Sequence, residues 1–291
     1  MVPLGAFVRA GEPVSGSPFR PDRIRGMGPT AVLLAPSALV ICAAAVRPLR
    51  LPALVILVIG LVLSRRSADA RVRAAWAAPV PVAVLLALAL VPEPASAAGA
   101  VPCTDLVSPR TIRRVLEMLA VLGAVVATAA ISSSPRDALR LRRPSARIAA
   151  VSVGLFVLAT PLAVLVGPAL AEPFFGPVGF HIPGPAVLVP ALIFALANSV
   201  EEEVAFRGAW LGWGERALGA TLALGAQGLA FGLAHAGSDY VGPALPVVAA
   251  MVAGGLAAGI IARRTNSLAL PIAIHAAADV PMFLAAVCRA G

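Results

Sequence analysis

The sequence predicts an all-α fold: a polytopic transmembrane helical bundle of about nine spans. Three observations predict it. Hydrophobic residues make up 59% of the 291 residues and the mean hydropathy is +0.93, where a soluble globular chain holds about 45–50% apolar residues. Only 13% of residues are charged. The apolar residues fall in runs near the ~20 residues that a helix needs to cross a bilayer. The runs are Pro29–Val46, Leu51–Ser64, Ala74–Val91, Val115–Ile131, Ile148–Ala171, Ala186–Val200, Leu218–Ala236, Ala244–Ala262 and Leu268–Val287. Leu51–Ser64 is short for a full crossing, and Ala186–Val200 reaches full length only by running on into Glu201–Glu203.

Residues 1–28 are polar and rich in Arg, Gly and Pro, and read as a cytoplasmic tail with no cleavable signal. Residues 29–147 supply N-terminal helices, and 148–291 supply a second helical region that holds the polar outliers described below. No internal repeat and no soluble domain is visible.

The formal net charge is +9 and every basic residue is Arg. Such a charge often marks a nucleic-acid binder. Here the Arg residues sit in short connections between apolar runs, so nucleic acid is set aside as a partner and the lipid bilayer takes its place. Lys and Arg collect in cytoplasmic loops. With the N-terminus inside, Arg65, Arg66, Arg71, Arg73, Arg136, Arg140, Arg142, Arg143, Arg147, Arg207, Arg216, Arg263 and Arg264 all fall inside. Arg47, Arg50, Arg110, Arg113, Arg114 and Arg289 fall outside. Trp76, Trp210 and Trp213 lie near the inner boundary, where interfacial Trp is expected. This orientation places the chain in the plasma membrane with the Glu cluster opening toward the cytoplasm. Cys42, Cys103 and Cys288 have no metal-site spacing and read as small fillers, with at most one disulfide.

Ionisable groups at membrane depth are costly and mark functional sites. Glu202 and Glu203 end an apolar run, and His235 and His275 interrupt two later ones. Residues four apart share a helix face, which pairs Glu203 with Arg207 and His275 with Asp279. Arg207 then neutralises Glu203 and leaves Glu202 less compensated, as suits a general base. His181, in the loop EPFFGPVGFHIPGP, receives no role.

These residues resemble a family. EEVAFRG (202–208), FGLAH (231–235) and HAAAD (275–279) are similar to the E-E-x-x-x-R, F-x-x-x-H and H-x-x-x-N motifs of the type II CAAX-processing endopeptidases and their bacterial relatives, the CPBP or Abi group. Phe206 and Gly208 also fit the fuller E-E-x-x-F-R-G form, and the resemblance covers residue 186 to about residue 287. It implies an intramembrane glutamate endopeptidase acting on a peptide or protein at the membrane, with no cofactor. By the resemblance, Glu202 with His235 activates water, Arg207 holds Glu203, and His275 with residue 279 stabilises the oxyanion. The chain departs from the pattern at Asp279, where the family has Asn. Asp279 either works as a neutral acid that donates to the oxyanion or orients His275.

Three alternatives accompany this reading. Zn²⁺ on Glu202, His235 and His275 is one, although no HExxH helix is present. A non-catalytic immunity-type protein on the same scaffold is the second, and a transporter the third. A transporter is expected to carry repeats or paired broken helices.

Overall fold

The computed structural model describes residues 27–91, 104–105, 109–167, 169, 172, 184–236 and 244–288. Among them the regular structure is helical throughout. The helices are α1 (Met27–Ala45), α2 (Arg50–Ser64), α3 (Ala70–Ala77), α4 (Val80–Leu88), α5 (Pro109–Ser132), α6 (Ala146–Leu165), α7 (Leu188–Glu202), α8 (Leu211–Leu218), α9 (Ala220–Ala234), α10 (Ala244–Thr265) and α11 (Ala269–Val287). A π-helical segment, Glu203–Trp210, joins α7 to α8 without a break. Residues 1–26, His181 and Cys103 lie outside the described residues.

Local chemistry sets several boundaries. The Asp69 carboxylate accepts from the Arg71 amide at 2.8 Å and starts α3. The Ser145 hydroxyl accepts from Ile148 N at 3.3 Å and starts α6. Pro79 separates α3 from α4. Gly219, at φ 83°, adopts the left-handed backbone that reverses the chain between α8 and α9.

Five stretches are long and apolar enough to cross a membrane: Arg47–Ser64, Ala70–Leu88, Pro109–Ser132, Ala146–Leu165 and Ala244–Thr265. The first gains its length from a 3₁₀ turn at Arg47–Leu49 that leads into α2. Thr30–Ala45, Ala220–Ala234 and Ala269–Ala285 are shorter apolar helices. Among the described residues the bundle is helical and holds five stretches long and apolar enough to cross a membrane, where the sequence predicts about nine spans. α6 packs on α11 and leaves Leu158 and Leu165 more than 70% exposed.

The continuous stretch 188–218 is the axis of the molecule. Residues 203–214 are all buried, and the main core joins Val40, Leu57, Val82 and Val125 of the N-terminal helices to Phe206, Trp210 and Phe231. Trp210 and Trp213 are fully buried. Their large rings join the core with Ala77, Ala78, Val80 and Val82, where α8 packs on α3 and the π-helical segment packs on α4. Only Trp76 remains partly exposed. α9 and α10 approach closely through glycines, and a Cβ on Gly232 would stand 2.8 Å from the Val248 carbonyl.

One end of the bundle gathers the arginine-rich connections. The Arg71 guanidinium donates to the Ala217 carbonyl at 3.0 Å, and Trp213 Nε1 donates to the Pro135 carbonyl at 3.2 Å. Arg140 donates to the Arg207 carbonyl at 3.1 Å and pairs with Glu215 at 2.5 Å. Arg263 meets the other Glu215 oxygen at 2.7 Å. Gly212 permits this closure, because a Cβ there would collide with the Ala138 backbone. The α2–α3, α5–α6 and α10–α11 connections thus share one layer, as their common charge predicts.

Candidate active site

Successive residues of a helix point about 100° apart. Three consecutive glutamates on the axis helix must therefore reach in three directions. Glu201, with no exposure, pairs with Arg114 Nη1 of α5 at 2.6 Å. Glu203 Oε1 lies 2.9 Å from Arg207 Nη1, and both side chains are 1% exposed. Glu202 keeps a buried Oε2 with no hydrogen-bond partner among the described residues, 3.7 Å from His275 Nε2. All three begin or precede the π-helical segment, a rare winding that concentrates at functional sites.

α11 brings the second half of the cluster. His275 Nδ1 is 2.9 Å from Glu203 Oε1. An ion-paired carboxylate accepts, so Nδ1–H donates and Nε2 is turned toward Glu202 and Asp279. Asp279 Oδ2 is 3.6 Å from that Nε2. It also accepts from Asn198 Nδ2 of α7 at 2.9 Å.

α9 supplies an aromatic wall. The Arg207 guanidinium carbon lies 4.2 Å from the centre of the Phe231 ring, a cation–π contact that helps hold a buried cation. Phe231 touches both imidazoles, with ring centroids 4.7 Å from His235 and 6.2 Å from His275. His235 caps the end of α9, and its Nδ1–H donates to the Phe231 carbonyl at 2.7 Å. The spacing F-x-x-x-H thus sets His235 by a bond to its own helix.

The structure brings Glu202, Glu203, Arg207, His275 and Asp279 into direct contact or near contact, with His235 joined through Phe231. Sequence reasoning missed Glu201, Arg114, Glu117 and Asn198. Arg114 also meets Glu117 Oε2 at 3.0 Å, and Arg113 meets Glu117 Oε1 at 2.7 Å. The signal was present: Arg113, Arg114 and Glu117 have i,i+3 and i,i+4 spacing in an apolar helix, and Asn198 sits four residues before Glu202. Among the described residues no group of three His, Cys, Asp or Glu side chains has the geometry to hold a metal ion. Glu203 and the Phe231 carbonyl each take the Nδ1 of one imidazole. Cys288 is disulfide-bonded, and Cys42 is free and exposed. The filler reading therefore fails for Cys288.

Fold and site together define an integral membrane protein with a buried carboxylate–imidazole–guanidinium cluster at helix mid-depth. Residues 184–281, about a third of the chain, match the family model described as Type II CAAX prenyl endopeptidase Rce1-like, and this match supports the CAAX-protease family resemblance carried by the three motifs. No curated protein and no solved structure matches the chain.

Proposed function

We propose that the protein is an intramembrane endopeptidase that hydrolyses a peptide bond of a membrane-associated protein or peptide with a water activated by Glu202. The unpartnered Glu202 Oε2, 3.7 Å from an imidazole nitrogen whose other nitrogen is already held, carries this reading. Family membership supports protease-type activity.

In the proposed cycle, Glu202 takes a proton as the water oxygen attacks the scissile carbonyl carbon. The carbonyl π electrons move to oxygen. His275, as an imidazolium held by Glu203, donates from Nε2 to that oxyanion, the interaction that is usually largest in acyl transfer. Glu202 then passes its proton to the leaving nitrogen as the C–N bond breaks. His235, fixed at the end of α9, assists Glu202 in activating the water. Arg207 keeps Glu203 ionised in place by charge and by its seat on Phe231. Asp279, anchored by Asn198, orients the His275 ring.

The test compares membrane-associated peptides of cells carrying wild type with those of cells carrying Glu202→Ala. A product set present only with wild type supports the reading, and identical peptides in both overturn it.

A further inference from the structure

We propose that the groove between α2 and α3, beside the arginine-rich layer, binds an anionic phospholipid, with an acyl chain in the groove and the headgroup phosphate at Arg65 and Arg66. None of the candidate active-site residues lines this groove, so the proposal does not rest on the protease reading.

Helix spacing builds the groove. Ile56, Ile59, Gly60 and Leu63 recur at intervals of three and four and share one face of α2. Val72 and Trp76, four apart, share one face of α3. Gly60 decides how the two faces meet. A Cβ there would collide with the Trp76 ring, so glycine lets the indole lie directly against the α2 backbone. Ile56, Ile59 and Leu63 stand beside that ring and help enclose a volume of about 550 Å³.

The setting selects hydrocarbon as the filling. α2 belongs to a stretch long and apolar enough to cross a membrane, and Ile56, Ile59 and Leu63 are all exposed on it. From Ile56 to Leu63 the helix rises about 10 Å at 1.5 Å per residue, two thirds of one leaflet of a hydrocarbon core ~30 Å thick. The groove thus runs along the bilayer normal for most of the depth of one acyl layer.

The polar end selects the headgroup. Ser64, Arg66 and Ser67 line the end of the groove at the α2–α3 connection. Residues 65–73 hold four arginines, Arg65, Arg66, Arg71 and Arg73, against one carboxylate, Asp69. Three of these five are engaged inside the protein. Asp69 accepts from the Arg71 amide, the Arg71 guanidinium donates to the Ala217 carbonyl, and Arg73 donates to the Ser67 carbonyl. Arg65 and Arg66 are exposed and make no ion pair among the described residues. Two uncommitted guanidinium groups at the mouth of an apolar groove match a phosphodiester in charge and in hydrogen-bond geometry. A zwitterionic lipid brings its own ammonium to the same place, which the arginines repel. Each arginine near an anionic lipid surface contributes roughly fivefold in affinity.

Photolabelling of the purified full chain tests this. The probe is phosphatidylglycerol with a diazirine midway along one acyl chain, present as a trace in bilayer discs of phosphatidylcholine. Label is expected on residues 56–76, displaced by unlabelled phosphatidylglycerol and not by further phosphatidylcholine. Arg65→Gln with Arg66→Gln is expected to lower that label by roughly fivefold or more, to the level of a phosphatidylcholine probe. Both side chains are exposed, and an unchanged melting temperature checks that the variant is folded. Equal labelling of residues 56–76 by the two headgroups overturns the proposal and leaves only unselective boundary lipid. Absence of label from residues 56–76 also overturns it, because another occupant, residues 1–26 among the candidates, then fills the groove. The competition in wild type decides the site even if the double variant does not accumulate, and no step of the measurement requires turnover.

Discussion

Glu203 Oε1 lies 2.9 Å from His275 Nδ1, and this one contact ties the axis helix to α11 across 72 residues of sequence. The same oxygen is 2.9 Å from Arg207. A single buried carboxylate therefore holds the guanidinium on its own helix and orients an imidazole on another.

Loss of Arg207 strands Glu203 as a buried charge. Arg207→Ala is expected to destabilise the protein by about 3–5 kcal/mol, the usual cost of breaking a buried pair from one side. The double change Glu203→Gln with Arg207→Gln recovers part of that loss, because no unpaired ion remains. Thermal unfolding in detergent reads both, and equal melting of single and double variants refutes the pairing.

Arg114 and Glu201 predict a second, separable effect. Arg114→Ala leaves a fully buried Glu201 alone and removes a guanidinium 5.3 Å from the Phe194 ring. A loss of stability similar to that of Arg207→Ala is expected. Arg114→Lys restores only part of it, since an ammonium cannot reach Glu117 and Glu201 with a planar fork. Full recovery by Lys would show that charge alone matters.

Glu202→Gln changes one atom and removes the base. Cleavage is expected to fall by about 10²–10⁴-fold, the usual range for a positioned acid–base group. The melting temperature should hold, because Glu202 Oε2 has no hydrogen bond to lose. An active Gln variant would reassign the base.

Asp279 is the position at which the chain departs from the H-x-x-x-N motif that it otherwise resembles. Its Oδ2 accepts from Asn198 and faces His275 Nε2, which is the posture of an orienting acceptor. Asp279→Asn is therefore expected to lower kcat at every pH. If the variant instead keeps the wild-type rate and loses any alkaline fall in a pH–rate profile, Asp279 acts as the oxyanion donor.

Metal dependence has its own readout. A strong chelator is expected to leave cleavage intact. Activity lost in chelator and regained with Zn²⁺ would require ligands that Glu202, His235 and His275 do not form in this arrangement.

Much of the site was legible because its signals are local. Glu203 with Arg207, Phe231 with His235 and His275 with Asp279 are each four residues apart, and a helix delivers such pairs to one face whatever surrounds it. The helical membrane class was legible for a similar reason, since long apolar runs leave few options in a bilayer. Glu201 with Arg114 was not legible, because 87 residues separate them and only packing of α5 on α7 brings them together.

Sequence by itself determined the class of the protein, its three motifs and the shared charge of the connections that form the arginine layer. Tertiary structure decided the rest: that the helix runs on past the glutamates, that Trp210 and Trp213 are fully buried, and that Asn198 donates to Asp279. The division has one physical cause. Helical periodicity and hydrophobicity act over a few residues and can be read in order along the chain. The depth of a side chain in a bundle, and the partner it finds there, depend on how helices distant in sequence slide and pack against one another.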